Sequence, residues 1–119
     1  MKKRDEILLR YIQGQAALLL RLMKEYDWHR FQDDELAQNG VSMILIKRGE
    51  SVKLLSKDLK DAHSGVRWVS ITNLRNIAAH NYEGLHMDRI WGNVTNRRIL
   101  ELLEQVNNIL HAEGVEEGK

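Results

Sequence analysis

The stretch WVSITNLRNIAAHNY, Trp68 to Tyr82, carries the reading of the fold. Trp68, Ile71, Leu74 and Ala78 recur at steps of three and four, which places them on one face of a helix. The polar residues that follow end the pattern. Working outward, every other apolar segment shows the same period, and no strand-like alternation persists. A first helix is expected over about residues 5–26, with Leu8, Tyr11, Ile12, Leu19, Leu22, Met23 and Tyr26 as its stripe and Gly14 as a point of close helix approach. A turn around Asp27–Leu36 follows, with Asp33 or Asp34 as N-cap. A long second helix is expected over about 34–61, its stripe Leu36, Met43, Ile44, Ile46, Leu54, Leu55 and Leu59, interrupted at Gly40 and Gly49 by a bend or a close crossing. The central stretch itself predicts a helix over 67–79. The last helix is expected over 89–111, capped by Asp88, with Ile90, Trp91, Val94, Leu102, Val106, Ile109 and Leu110 inward and a frayed tail over 112–119. Four to five helices with short connections predict an all-α, up-and-down four-helix bundle with room for an extra short helix, in a single domain over 1–119.

The composition agrees. Of 119 residues, 43% are hydrophobic and 29% charged, enough for one core without staples. Cysteine is absent, so disulfides and thiolate metal sites are excluded. The basic start lacks the clean apolar core of a signal peptide, and no run approaches the ~20 apolar residues of a membrane span. The expected location is therefore the cytoplasm. A net charge of +1 argues against non-specific coating of nucleic acid but leaves room for a local anion site.

Arg75, Asn76, His80 and Tyr82 form such a cluster. Guanidinium groups present a planar fork matched to phosphate oxygens. Imidazoles as a class can exchange protons near neutral pH. RNA carries its own nucleophile, the 2′-hydroxyl, so a base, an acid and a positive charge on the phosphorane suffice, without a metal. Asn76 and His80, four apart, share a helix face, whereas Arg75 and His80 lie about 140° apart and ~7.5 Å along the axis. They converge only if the helix ends near His80, if the arginine wraps back, or if a second protomer completes the site. Ala78 and Ala79 would let another helix come close.

At this point the chain resembles the HepT-like proteins of the HEPN superfamily, whose motif of Arg, four residues, His, one residue and Tyr is met by Arg75, His80 and Tyr82, with Asn76 as the polar residue after the arginine. FQDDELAQNGVSMILIKRGESVKLL resembles the family's second helix, and MDRIWGNV the opening of its last. Relatives often carry prolines before the residue matching Trp68 and in the last helix, and this chain has none. The resemblance implies a metal-independent endoribonuclease, cofactor-free and homodimeric, with Arg75, Asn76 and His80 catalytic. It further implies the toxin of a type VII toxin–antitoxin pair. The partner would be a MntA-like nucleotidyltransferase that silences it by transferring AMP to Tyr82. Whether tRNA or mRNA is the substrate stays open. The alternative is a non-catalytic helical module that binds nucleotide or the nucleotidyltransferase.

Each residue has a plainer account. Arg75 and Asn76 could be solvated helix residues, His80 could answer the helix dipole, and Tyr82 could cap the core. His29, His63, His86 and His111 lack metal-ligand spacing and read as surface or turn residues, His86 lying nearest the motif. Trp28, Trp68 and Trp91 read as packing. Arg97 and Arg98 read as a solvated face, and with the basic N-terminus they could guide RNA. No phosphate-binding glycine loop is present, so the chain itself is not expected to hydrolyse ATP.

Overall fold

In the computed structural model, which describes residues 1–80, 87–95 and 97–113, all regular structure among the described residues is helical. Seven helices are described: α1 (Lys3–Glu25), α2 (Trp28–Gln32), α3 (Glu35–Leu54), α4 (Lys57–Ala62), α5 (Trp68–Ala79), α6 (Met87–Thr95) and α7 (Arg98–Ala112). The bundle expected from the periodicity is present: α3 packs along α5, and α1 packs between α3 and α7.

Two of the expected long helices are broken, each for a local reason. The second ends at Leu54, and Leu55 and Ser56 are extended. Asp5, buried on α1, accepts the backbone N–H of Ser56 at 2.9 Å and its hydroxyl at 2.6 Å. The Ser56 Oγ in turn accepts the Leu59 N–H and starts α4. A carboxylate 51 residues away thus supplies the partners that let the helix stop. The last helix breaks between Thr95 and Arg98. Asn93 and Thr95 donate to the carbonyls four residues earlier, of Arg89 and Trp91, a habit that competes with helix continuation. Asp88 is not the expected cap but the second residue of α6.

The segment expected as a turn holds α2, capped by Asp27, which accepts the Arg30 N–H at 2.8 Å. It drives Phe31 fully into the core, where Phe31 stacks on Trp91 at 4.7 Å and meets Trp28. Asp34 caps α3, as expected.

The stripes of α5, α6 and α7 fall on the buried side, only Trp91 half-exposed. On α1, Ile12 and Leu19 are buried as expected, but Leu9 and Ala16 replace Tyr11, which is exposed. The phase of α3 differs more. Ala37, Val41, Leu45 and Val52 face inward, while Leu36, Met43 and Leu54 are exposed. This helix is apolar on both sides, so its period alone could not say which side is covered.

The core forms two apolar clusters, one around Leu9, Val52, Trp68 and Val106, the other around Leu19, Leu45, Leu74 and Ile90. Arg48 sits on α3 between Leu45 and Val52, at the level where α5 and α7 also pass from one cluster to the other. It is only 2% exposed. Its Nε and Nη1 meet no hydrogen-bond acceptor among the described residues, and burial lowers its pKa to about 10, so it stays charged at neutral pH.

Candidate active site at the α3–α5 crossing

The two helices that matter most for the site cross at Gly49. An added Cβ there would collide with the Cβ of Arg75, so only glycine lets α3 and α5 come this close. Gly14 and Gly40, by contrast, have open space beside them, and the close approach expected at Gly14 does not occur.

Arg75 leaves α5 beside this crossing. Its Nη2 lies 2.5 Å from Glu50 Oε1 on α3, and its Nη1 donates to Asn76 Oδ1 at 3.1 Å. Its Nε is buried, with no acceptor among the described residues. The guanidinium is thus gripped at its outer edge by a carboxylate and an amide oxygen while remaining about one quarter exposed. Glu50 is itself 44% exposed, so this ion pair orients more than it stabilises, contributing at most ~1 kcal/mol.

α5 ends about one turn after these residues. His80 is its C-cap, with φ −102° and ψ 14°, and its N–H donates to the Asn76 carbonyl at 3.1 Å. The imidazole belongs to an exposed residue at the negative end of the helix. Of the three conditions under which Arg75 and His80 could converge, the one that asks for a helix end near His80 is met. Tyr82 and His86 lie outside the described residues. The other histidines are peripheral: His29 and His111 are exposed, and His63 lies 3.3 Å from Glu113. Of the expected tail, Ala112 closes α7 and Glu113 lies 3.6 Å from the N-terminal amine. No metal-binding cluster of three or more His, Asp or Glu occurs among the described residues, and no helix among them is long and apolar enough to cross a membrane.

Glu50 was missed by the sequence reading. Its signal was there: a carboxylate seven residues after Met43 and four before Leu54, on the stripe taken for core. An acid in that place marks the stripe as outward-facing. Leu36, Met43, Glu50 and Leu54 fall within about 40° of one another around α3. The acid that holds Arg75 is therefore flanked by exposed apolar side chains.

Comparison with known proteins gives the family of the chain. The family model described as "Ribonuclease HepT-like" matches residues 12–109. A protein of Caldanaerobacter subterraneus subsp. tengcongensis named as a candidate RNase is 30% identical over 105 residues, covering 88% of this chain and 93% of its own length. Two proteins of Methanocaldococcus jannaschii, likewise named as candidate RNases, are each 27% identical, over 92 and 99 residues, covering 76% and 83% of this chain and 84% and 82% of their own lengths. No solved structure gives a significant match.

Proposed function

The chain belongs to the HepT-like ribonuclease family of the HEPN superfamily, and from that premise we propose that it is a metal-independent endoribonuclease acting as a homodimer. The observation that carries the reading is the pairing of an oriented Arg75 with a helix that stops at His80.

The reaction follows from those groups. One imidazole takes the proton of the RNA 2′-hydroxyl as its oxygen attacks the adjacent phosphorus. Arg75 neutralises the charge that builds on the non-bridging oxygens. The bond from phosphorus to the 5′-oxygen breaks, and the leaving oxygen takes a proton from the second protomer's imidazole. The products are a 2′,3′-cyclic phosphate and a 5′-hydroxyl. Phosphate would bind the remaining N–H groups of the Arg75 fork while Glu50 holds its other edge in place. The exposed Leu36, Met43 and Leu54 supply an apolar face on which a second protomer could bring its own Arg75 and His80 across the cleft.

In the cell the protein is a toxin whose antitoxin is a minimal nucleotidyltransferase. That partner forms an ester between the Tyr82 oxygen and the α-phosphorus of ATP and releases pyrophosphate. Each AMP adds a negative phosphodiester close in sequence to Arg75 and His80 and competes with RNA for the guanidinium. Purified protein should cleave RNA equally with and without EDTA and leave cyclic phosphate ends. The His80→Ala variant should keep its helicity and lose at least about 100-fold in rate. Wild-type rates in that variant would remove His80 from the chemistry.

The second reading, a non-catalytic binding module, draws on the same Glu50–Arg75 pair, because a guanidinium held by a carboxylate is also a structural tie. Growth arrest on expression of the chain alone separates the two: the nuclease is toxic and the module is not.

A further inference from the structure

α5 and α7 both line one groove of the bundle. It holds a cavity of about 50 Å³, enough for roughly four waters or one tetrahedral oxyanion. Ile71, Leu74, Ile99 and Leu102 supply apolar walls, and the polar groups are unevenly signed. Arg48 lines it from α3; Arg67 stands on the α5 side and Arg98 on the α7 side, against the single carboxylate of Glu101 among the lining residues. Ser70, Asn93 and Gln105 add hydrogen-bonding groups, Asn93 already accepting from Arg98 at 3.3 Å. The lining residues Arg98, Ile99 and Glu101 belong to the first turn of α7, so the positive end of that helix lies beside the groove.

Arg48 makes this more than a basic surface. A guanidinium almost wholly removed from water, with two of its nitrogens lacking protein acceptors among the described residues, costs several kcal/mol. The position is helical and lies between the two apolar clusters, where leucine or methionine would carry no such cost. A buried cation that lines a polar-mouthed cavity, with no carboxylate paired to it among the described residues, is the arrangement that an anion offsets. We infer that the groove between α5 and α7 is a phosphate-binding site, with Arg48 as its buried anchor and Arg67 and Arg98 as its rim. It is separate from the Arg75 site and does not depend on the nuclease reading.

The test is thermal unfolding in sodium phosphate against sodium chloride at matched ionic strength. At ten times Kd, phosphate should raise the wild-type midpoint by about 5 °C over chloride. Arg48→Met should melt no lower than wild type in chloride and gain nothing from phosphate. Should Arg48→Met fail to fold, the exposed rim decides: Arg67→Gln with Arg98→Gln should bind phosphate at least about 5-fold more weakly by calorimetry. No shift in wild type, an equal shift in Arg48→Met, or an unaltered rim variant each overturns the inference. The source of the phosphate is read in the His80→Ala background. Tighter binding of a 5′-phosphorylated than a 5′-hydroxyl oligoribonucleotide assigns the end of an RNA. Competition by AMP, with no difference between the two oligonucleotides, assigns a free nucleotide. Because these are binding measurements, they stand whether or not the wild type cleaves RNA.

Discussion

Glu50 Oε1 and Arg75 Nη2 meet at 2.5 Å across the crossing of α3 and α5, one residue from the glycine that allows the helices to close. The pair makes Glu50 a positioning residue for the guanidinium. Glu50→Gln should lower kcat for RNA cleavage by about 10-fold while KM changes less than about 2-fold, because orientation at the reacting phosphate is lost before binding is. The melting midpoint should barely move, since an exposed ion pair contributes little. Equal loss in kcat and stability would mark the pair as a structural tie only.

The crossing predicts opposite outcomes at two glycines of one helix. Gly40→Ala adds a methyl group in open space and removes backbone freedom, which should stabilise by up to about 1 kcal/mol. Gly49→Ala gains the same helix propensity but pushes α5 away at Arg75, a cost of about 1–3 kcal/mol. Chemical denaturation should therefore rank Gly40→Ala above wild type and Gly49→Ala below it, with cleavage lost in the latter.

If the exposed stripe of α3 seats a second protomer, charge placed on it should separate the pair. Met43→Lys with Leu54→Glu should sediment as a monomer, keep its helical circular dichroism and cleave RNA at least about 100-fold more slowly at equal chain concentration. A dimer that survives both substitutions uses another face.

Tyr26 and Asp34 bracket the pH range of stability. The Tyr26 hydroxyl donates to Asp34 Oδ2 at 2.5 Å, which raises the phenol pKa above its usual 10.0, helped by burial, and holds the Asp34 carboxyl below its usual 3.8, helped by the Ala37 N–H. The depressed acid contributes stability above pH 3.8 that is lost as pH falls through its folded value. The raised phenol contributes below pH 10.0 and is lost as pH rises through its own. Asp34→Asn keeps an N-cap but removes the titration, so its deficit in melting temperature should be present at pH 7 and shrink below the carboxylate range.

Tyr82→Phe isolates the proposed switch. With its nucleotidyltransferase and ATP, wild type should gain 329 Da per AMP and lose cleavage activity, about 329 Da being the mass of one adenylyl unit. The variant should cleave RNA and remain active after the same treatment. Loss of cleavage in the untreated variant would place the phenol in the reaction itself.

Much of this was legible in the sequence, for identifiable reasons. Trp68, Ile71, Leu74 and Ala78 stand on a helix with one apolar side, so period and burial agree. Helix α3 has Leu36 and Met43 on one side and Val41 and Leu45 on the other, and only the neighbours decide which is covered. The break at Ser56 depends on Asp5, far away in the chain, and local pattern carries no trace of it. For the site, the arginine and histidine were visible as a spaced motif. Glu50 was not, because its relation to Arg75 exists only once two helices cross.

Arg48 has a consequence for alignment. Sliding α3 by one turn, about 5.4 Å, would carry its guanidinium out of the layer between the two apolar clusters and into hydrocarbon on either side. Hydrophobic packing alone tolerates such slippage, since one leucine resembles the next. A single misfit cation does not, and so it acts as a key that holds the helix at one height. That height is the one at which the carboxylate two residues further along reaches its arginine on the facing helix.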